Sequence, residues 1–123
     1  MIENVQALQA ISVSQQVAAN NVANVNTNEF HSSRVEYETG PNDRGVRVSD
    51  IYENTAPGPL VQGGEYVGTE EGLRYEETLV EGSNTDLATE MVQMIENEQA
   101  FAANVAALHT NFDMTGVLID MMV

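Results

Sequence analysis

The chain has 123 residues, with 19 acidic side chains against four arginines and no lysine, for a formal charge of −15. That length suits one domain. So acidic a chain is ill suited to displacing counterions from nucleic-acid phosphates or to lying on an anionic membrane. The absence of cysteine excludes a disulfide or thiolate–metal scaffold.

The N-terminal stretch MIENVQALQAISVSQQ has no basic region leading into a continuous apolar one, so no cleaved secretory signal is read there. No apolar run approaches the ~20 residues of a membrane span, and no membrane insertion is expected. Charge is unevenly spread: residues 1–28 carry −1, residues 29–82 carry −8, and residues 83–123 carry −6 with no basic residue. A nearly uncharged N-terminal segment in so acidic a chain is expected to be covered.

In the first segment, Leu8, Ile11, Ala18, Val22 and Val25 fall at 3-and-4 spacing, broadened by Val5, Val13 and Val17. This predicts a helix over about residues 2–25. Asn20, Asn21, Asn24, Asn26 and Asn28 then crowd its end; asparagine competes for backbone hydrogen bonds and tolerates the left-handed conformation, so the helix should stop near Asn24 to Asn26.

The middle segment has a different composition, holding all three prolines and every glycine but Gly116. Phe30 to Glu38 and Val46 to Glu53 read as two short strands joined by a turn-rich loop. APGPLVQGGEYVGTEEG is punctuated too often for a long element, and Leu73 to Val80 is a candidate further strand.

From Leu87 onward, 4-and-3 steps meet Met91, Met94, Glu98, Phe101, Val105, Leu108, Phe112, Thr115, Ile119 and Met122, an apolar coiled-coil seam broken only by Glu98 and Thr115. A second stripe runs beside it through Ala88, Val92, Ile95, Ala102 and Ala106. Asp86 is the predicted N-cap, and Glu90 suits the first turn against the helix dipole. A helix of some 37 residues would be about 55 Å long, too long for the inside of a compact domain of this mass. The expected fold is therefore mainly α: two long terminal helices forming an antiparallel coiled-coil hairpin, with a small irregular β-containing insert. The expected segments are 1–28, 29–82 and 83–123. Apolar faces left open on such a hairpin mark interaction surfaces.

Two stretches carry a resemblance. SQQVAANNVANVNTNEF (Ser14 to Phe30) resembles the A-x-N-N-[IL]-A-N-x-x-T-x-G-F segment of the flagellar basal-body rod family, and SNTDLATEMVQMIENEQAFAANVAALHTNFDMTGVLIDMM resembles that family's closing helix. The short insert is most similar to the proximal-rod FlgC type. The resemblance implies a non-enzymatic structural subunit whose terminal helices assemble and transmit torque. Its partners would be other rod and basal-body proteins, in homo- and hetero-oligomeric contact. It would be exported without a cleaved signal by the flagellar type III route to the periplasmic rod. The expected assembly residues are Leu8, Ile11, Ala18, Val22, Asn20, Asn21, Asn24, Asn26 and Phe30 in the N-terminal segment. In the C-terminal helix they are Leu87, Met91, Met94, Phe101, Asn104, Val105, Leu108, Phe112 and Ile119.

The asparagines are expected to bond the backbone of the C-terminal helix or of neighbouring subunits; the plainer reading is a capped, solvated helix end. The sequence departs from the family pattern in two places. Glu29 stands where the family has glycine, and Glu98-Gln99 replaces a Gln-Arg pair, removing a cation available for intersubunit pairing. No nucleophile elbow, phosphate loop or zinc-protease motif occurs, and the acid pairs are adjacent rather than opposed, so neither catalysis nor a cofactor is expected. The alternative function is an acidic helical-hairpin adaptor or export chaperone in the cytoplasm.

Overall fold

A computed structural model describes residues 2–122, and of Glu65, Val67 and Glu77 the backbone alone. Met1 and Val123, the outer ends of the first and third expected segments, lie outside the described residues. In chain order the elements are helix α1 (Ile2–Ala23), strand β1 (Ser33–Thr39), a short 3-10 turn (Pro41–Asp43), strands β2 (Val46–Glu53), β3 (Leu60–Thr69) and β4 (Gly72–Glu81), and helix α2 (Leu87–Met122). The two long terminal helices pack against each other, and a β-containing insert lies between them in the chain, as the sequence predicts.

α1 ends where its asparagines begin to serve local bonds: Asn24 Nδ2 donates to the Asn20 carbonyl at 2.9 Å, and Thr27 Oγ1 donates to Asn24 Oδ1 at 3.0 Å. α2 starts at the predicted cap, with Asp86 Oδ1 accepting from the amides of Ala88 (3.1 Å) and Thr89 (3.4 Å). The helices run antiparallel, Ser14 in the middle of α1 meeting Asn97 in α2, while Arg34, just after α1 in the chain, reaches Glu90 near the start of α2. By rise per residue α1 is about 33 Å long and α2 about 54 Å. α2 therefore outruns α1, and every described residue from Phe112 onward is exposed.

β1 and β2 form an antiparallel hairpin packed against α1, with Arg34 of β1 reaching Glu90 of α2, and with a bulge where the register shifts between Glu36 and Tyr37. Its turn is fixed to α1 through Gly45, which at φ +72° adopts a backbone conformation glycine tolerates, and whose missing Cβ leaves room for the Gln6 side chain. β3 and β4 form a second antiparallel hairpin in unbroken register from Leu60↔Glu81 to Thr69↔Gly72. This corrects the expectation that 56–72 holds no long element. The glycines that read as breakers sit inside β3 to admit neighbours: a Cβ on Gly64 would collide with the Tyr75 ring, and one on Gly63 with Val80. Tyr75 in turn meets Tyr66 edge to face, centroids 5.5 Å apart.

Candidate assembly surface

The face that α2 turns toward α1 alternates polar and apolar side chains, Met94 and Leu108 standing between its polar members. Glu90 and Asn97 are buried, and Asn104 and Asn111, continuing the same step of seven, are half-buried. α1 buries Ala10, Ser14, Ala18 and Asn21, of which Ser14 meets Asn97, Ala10 lies against β2 and Asn21 bonds β1. Asn97 is fully engaged: its Nδ2 donates to Ser14 Oγ (3.1 Å) and Gln15 Oε1 (3.2 Å), and its Oδ1 accepts from Ser14 Oγ (3.3 Å) and Gln93 Nε2 (3.1 Å). Such a network fixes one register between the helices, because any slip leaves buried amides unpaired. Glu90 has no exposed surface, and Arg34 Nη1 from β1 meets its Oε1 at 2.7 Å, while its Oε2 has no hydrogen-bond partner among the described residues.

Two further asparagines fasten the insert to this hairpin. Asn21 acts like a strand neighbour for Ser33, its Oδ1 accepting from the Ser33 amide and its Nδ2 donating to the Ser33 carbonyl, both at 2.9 Å. Asn84 accepts from the Ser32 amide at 2.6 Å and donates to the carbonyls of Asn54 and Ala56 at 2.8 Å. The chain end of α1 is also held there: the Glu29 amide donates to the Glu81 carbonyl at 2.8 Å, with Glu29 in the left-handed region at φ 60°. The turn normally given to glycine is thus kept by a residue for which that conformation is uncommon.

His31 bridges two carboxylates, its Nδ1 2.9 Å from Glu53 and its Nε2 3.3 Å from Glu81. The bonds to Glu81 and then Glu53 raise its pKa above the ordinary histidine range. The Gly58 amide, first, and His31, second, hold the Glu81 carboxyl below the usual carboxylate range. The stabilisation from His31 is present below its unfolded pKa of about 6.5 and is lost as pH rises through the raised folded value. That from Glu81 is present above about 4.3 and is lost as pH falls through its depressed value. The difference in urea midpoint between the parent chain and His31→Gln should therefore be largest at about pH 5 to 6 and shrink on either side. A difference that stays constant across that range would refute the bridge.

Most apolar residues of α2 point elsewhere. The expected seam splits in two: Met91 (54% exposed), Val105 (43%), Phe112 (56%) and Ile119 (56%) lie one position round from the buried face, while Met94 and Leu108 lie on that face. Leu87 and Phe101 are exposed too, Phe101 at the rim of a groove of ≈ 480 Å³ between the helices that Ile11, Gln15 and Ala19 also line. Met94, Asn104 and Leu108 are half-buried, and Asn104 bonds the Ala100 carbonyl within its own helix at 2.8 Å. In the N-terminal segment Ala18 and Asn21 are buried, Leu8, Ile11, Val22, Asn24 and Phe30 half-buried, and Asn20 and Asn26 exposed. The structure thus brings Ala18 and Asn21 to the junction with the insert and leaves the apolar line of α2 open.

The sequence does not point to Arg34, Asn97 or Asn84, and it marks Glu90 only as a first-turn acid, not as the buried partner of Arg34. A usable signal existed in the step of seven from Glu90 through Asn97 and Asn104 to Asn111. Among the described residues the only buried apolar side chains are Ala10 and Ala18, whereas Ser14, Asn21, Ser32, Ser83, Glu90 and Asn97 are buried and polar. No helix among the described residues is long and apolar enough to cross a membrane, and none of their His, Asp and Glu side chains gather in threes able to hold a metal ion.

Comparison of the chain with curated proteins gives no match. Residues 77–121, from within β4 almost to the end of α2, match the family model described as flagellar basal body rod FlgEFG protein C-terminal.

Proposed function

We propose that this chain is a structural, non-enzymatic subunit of the bacterial flagellar basal-body rod, of the proximal FlgC type, which assembles through its terminal helices and helps transmit torque. The observation that carries the reading is that the match falls on the very helix that leaves its apolar line uncovered. Hydrophobic burial drives most folding, and a chain whose described residues bury only two apolar side chains, both alanine, has most of that burial still to gain from neighbours. The N-terminal motif and the short insert support the proximal position. On this reading the chain reaches the periplasmic rod through the flagellar export apparatus, and its partners are other rod and basal-body proteins.

Deletion of the gene, followed by electron microscopy of purified basal bodies, tests the proposal. Rings lacking a rod, together with recovery of the protein in hook–basal bodies of the parent strain, are expected. Intact rods in the deletion strain, with the protein confined to the cytoplasm, would overturn it and favour an adaptor or chaperone.

A further inference from the structure

The outward line of α2 runs Met91, Glu98, Val105, Phe112, Ile119 at steps of seven, so an acid interrupts the apolar row, and Asp113 and Asp120 each follow directly on its last two members. All three acids are exposed. Neither helix contains a lysine or arginine. The four arginines all lie in the insert, where Arg34 is held by buried Glu90 and Arg47 pairs with Glu38. His109 is bound to Asp113 on the same helix at 3.1 Å.

From this we infer that the outer face of α2 is built for a heterologous partner, a helix whose apolar stripe is flanked by lysine or arginine, rather than for a second copy of this chain. Two copies joined along this face would set Glu98, Asp113 and Asp120 against one another as the seam closes, with no helical cation to meet them. Like charges brought together at an interface suppress the wrong pairing, and opposite ones speed and orient the right one. A net charge of −15 opposes self-association more generally. A cationic helix would bury the same apolar row and neutralise the three acids. The inference rests on the reading of α2 as an assembly helix and narrows its partner.

The test uses the purified full chain and two synthetic peptides of several heptads with the same leucine seam, one flanked by lysine and one by glutamate. Binding is measured by titration calorimetry at low and high salt, and self-association by sedimentation. The lysine peptide should bind at least roughly tenfold more tightly than the glutamate peptide, with an advantage that shrinks as salt rises. The combined change Glu98→Gln, Asp113→Asn, Asp120→Asn should remove most of that preference and promote self-association. The charge-matched change Glu70→Gln, Glu71→Gln, Glu76→Gln in the β3–β4 hairpin should leave it intact. Equal binding of the two peptides would overturn the inference. So would equal loss from the two triple variants, or self-association of the parent chain through α2 at low salt. Basal-body recovery is read separately, so a rod subunit lacking the lysine preference refutes only the cationic partner, and a chain absent from basal bodies refutes only the rod.

Discussion

Replacing Arg34 with methionine should destabilise the chain by roughly 3 kcal/mol, because it strands a buried carboxylate that has lost its counter-charge. The effect is asymmetric. Glu90 is fully buried, whereas the Arg34 side chain is 30% exposed and can return to water when its partner is removed. Glu90→Gln should therefore cost only about 1 kcal/mol, because a neutral amide leaves no uncompensated charge in the interior. The double change Arg34→Met, Glu90→Met should recover most of the loss, since well-packed apolar replacements of a buried ion pair are often neutral or stabilising. Urea midpoints for the three variants decide the matter. A larger loss from Glu90→Gln than from Arg34→Met would mean that burial of the charge is not what couples β1 to α2. If the double variant proves stable, the pair serves specificity: it fixes where β1 lies against α2, as Asn97 fixes the helix register.

Helical periodicity made both terminal helices legible, and the asparagine run and Asp86 marked their inner ends to within a few residues. What the sequence concealed was the direction of each face. Periodicity finds apolar lines and assigns them to the nearest available partner, so the whole 4-and-3 row from Leu87 to Met122 reads as the hairpin seam, although Met91, Val105 and Phe112 face outward. The hairpin instead uses the alternate members Met94 and Leu108 of that row together with the adjacent polar positions, locked by an amide network around Asn97. An apolar row is reserved for whatever the chain buries last, and in an isolated subunit that surface is still open. β3 was hidden for a related reason: Gly63 and Gly64 lower intrinsic strand preference, but their purpose is visible only once the side chains of Val80 and Tyr75, their diagonal neighbours on β4, pack over them. Arg34, Asn84 and His31 were invisible because their partners are distant in the chain, His31 to Glu81 by 50 residues and Ser32 to Asn84 by 52.

The open row yields the second large effect, one that separates assembly from folding. Phe112 and Ile119 lie in the part of α2 beyond the reach of α1, each 56% exposed, so Phe112→Ser with Ile119→Ser removes almost no contact within the chain. Thermal stability of the purified variant should stay within about 0.5 kcal/mol of the parent, the usual range for exposed sites. Recovery in basal bodies should nevertheless collapse, because interface energy concentrates in a few large apolar side chains near the centre of a contact. Hydrogen exchange gives an independent view. In the dilute parent chain the amides of residues 112–122 should exchange far faster than those of 90–104, which are backed by α1, since a helix end without tertiary contacts opens locally at little cost. Should the double serine variant lose stability along with assembly, the overhang would be part of the folded core and the division between an inner face and an outer assembly face would fail. If it keeps both, the overhang is not where neighbouring subunits attach, and the contact must lie on the stretch shared with α1, around Met91, Phe101 and Val105.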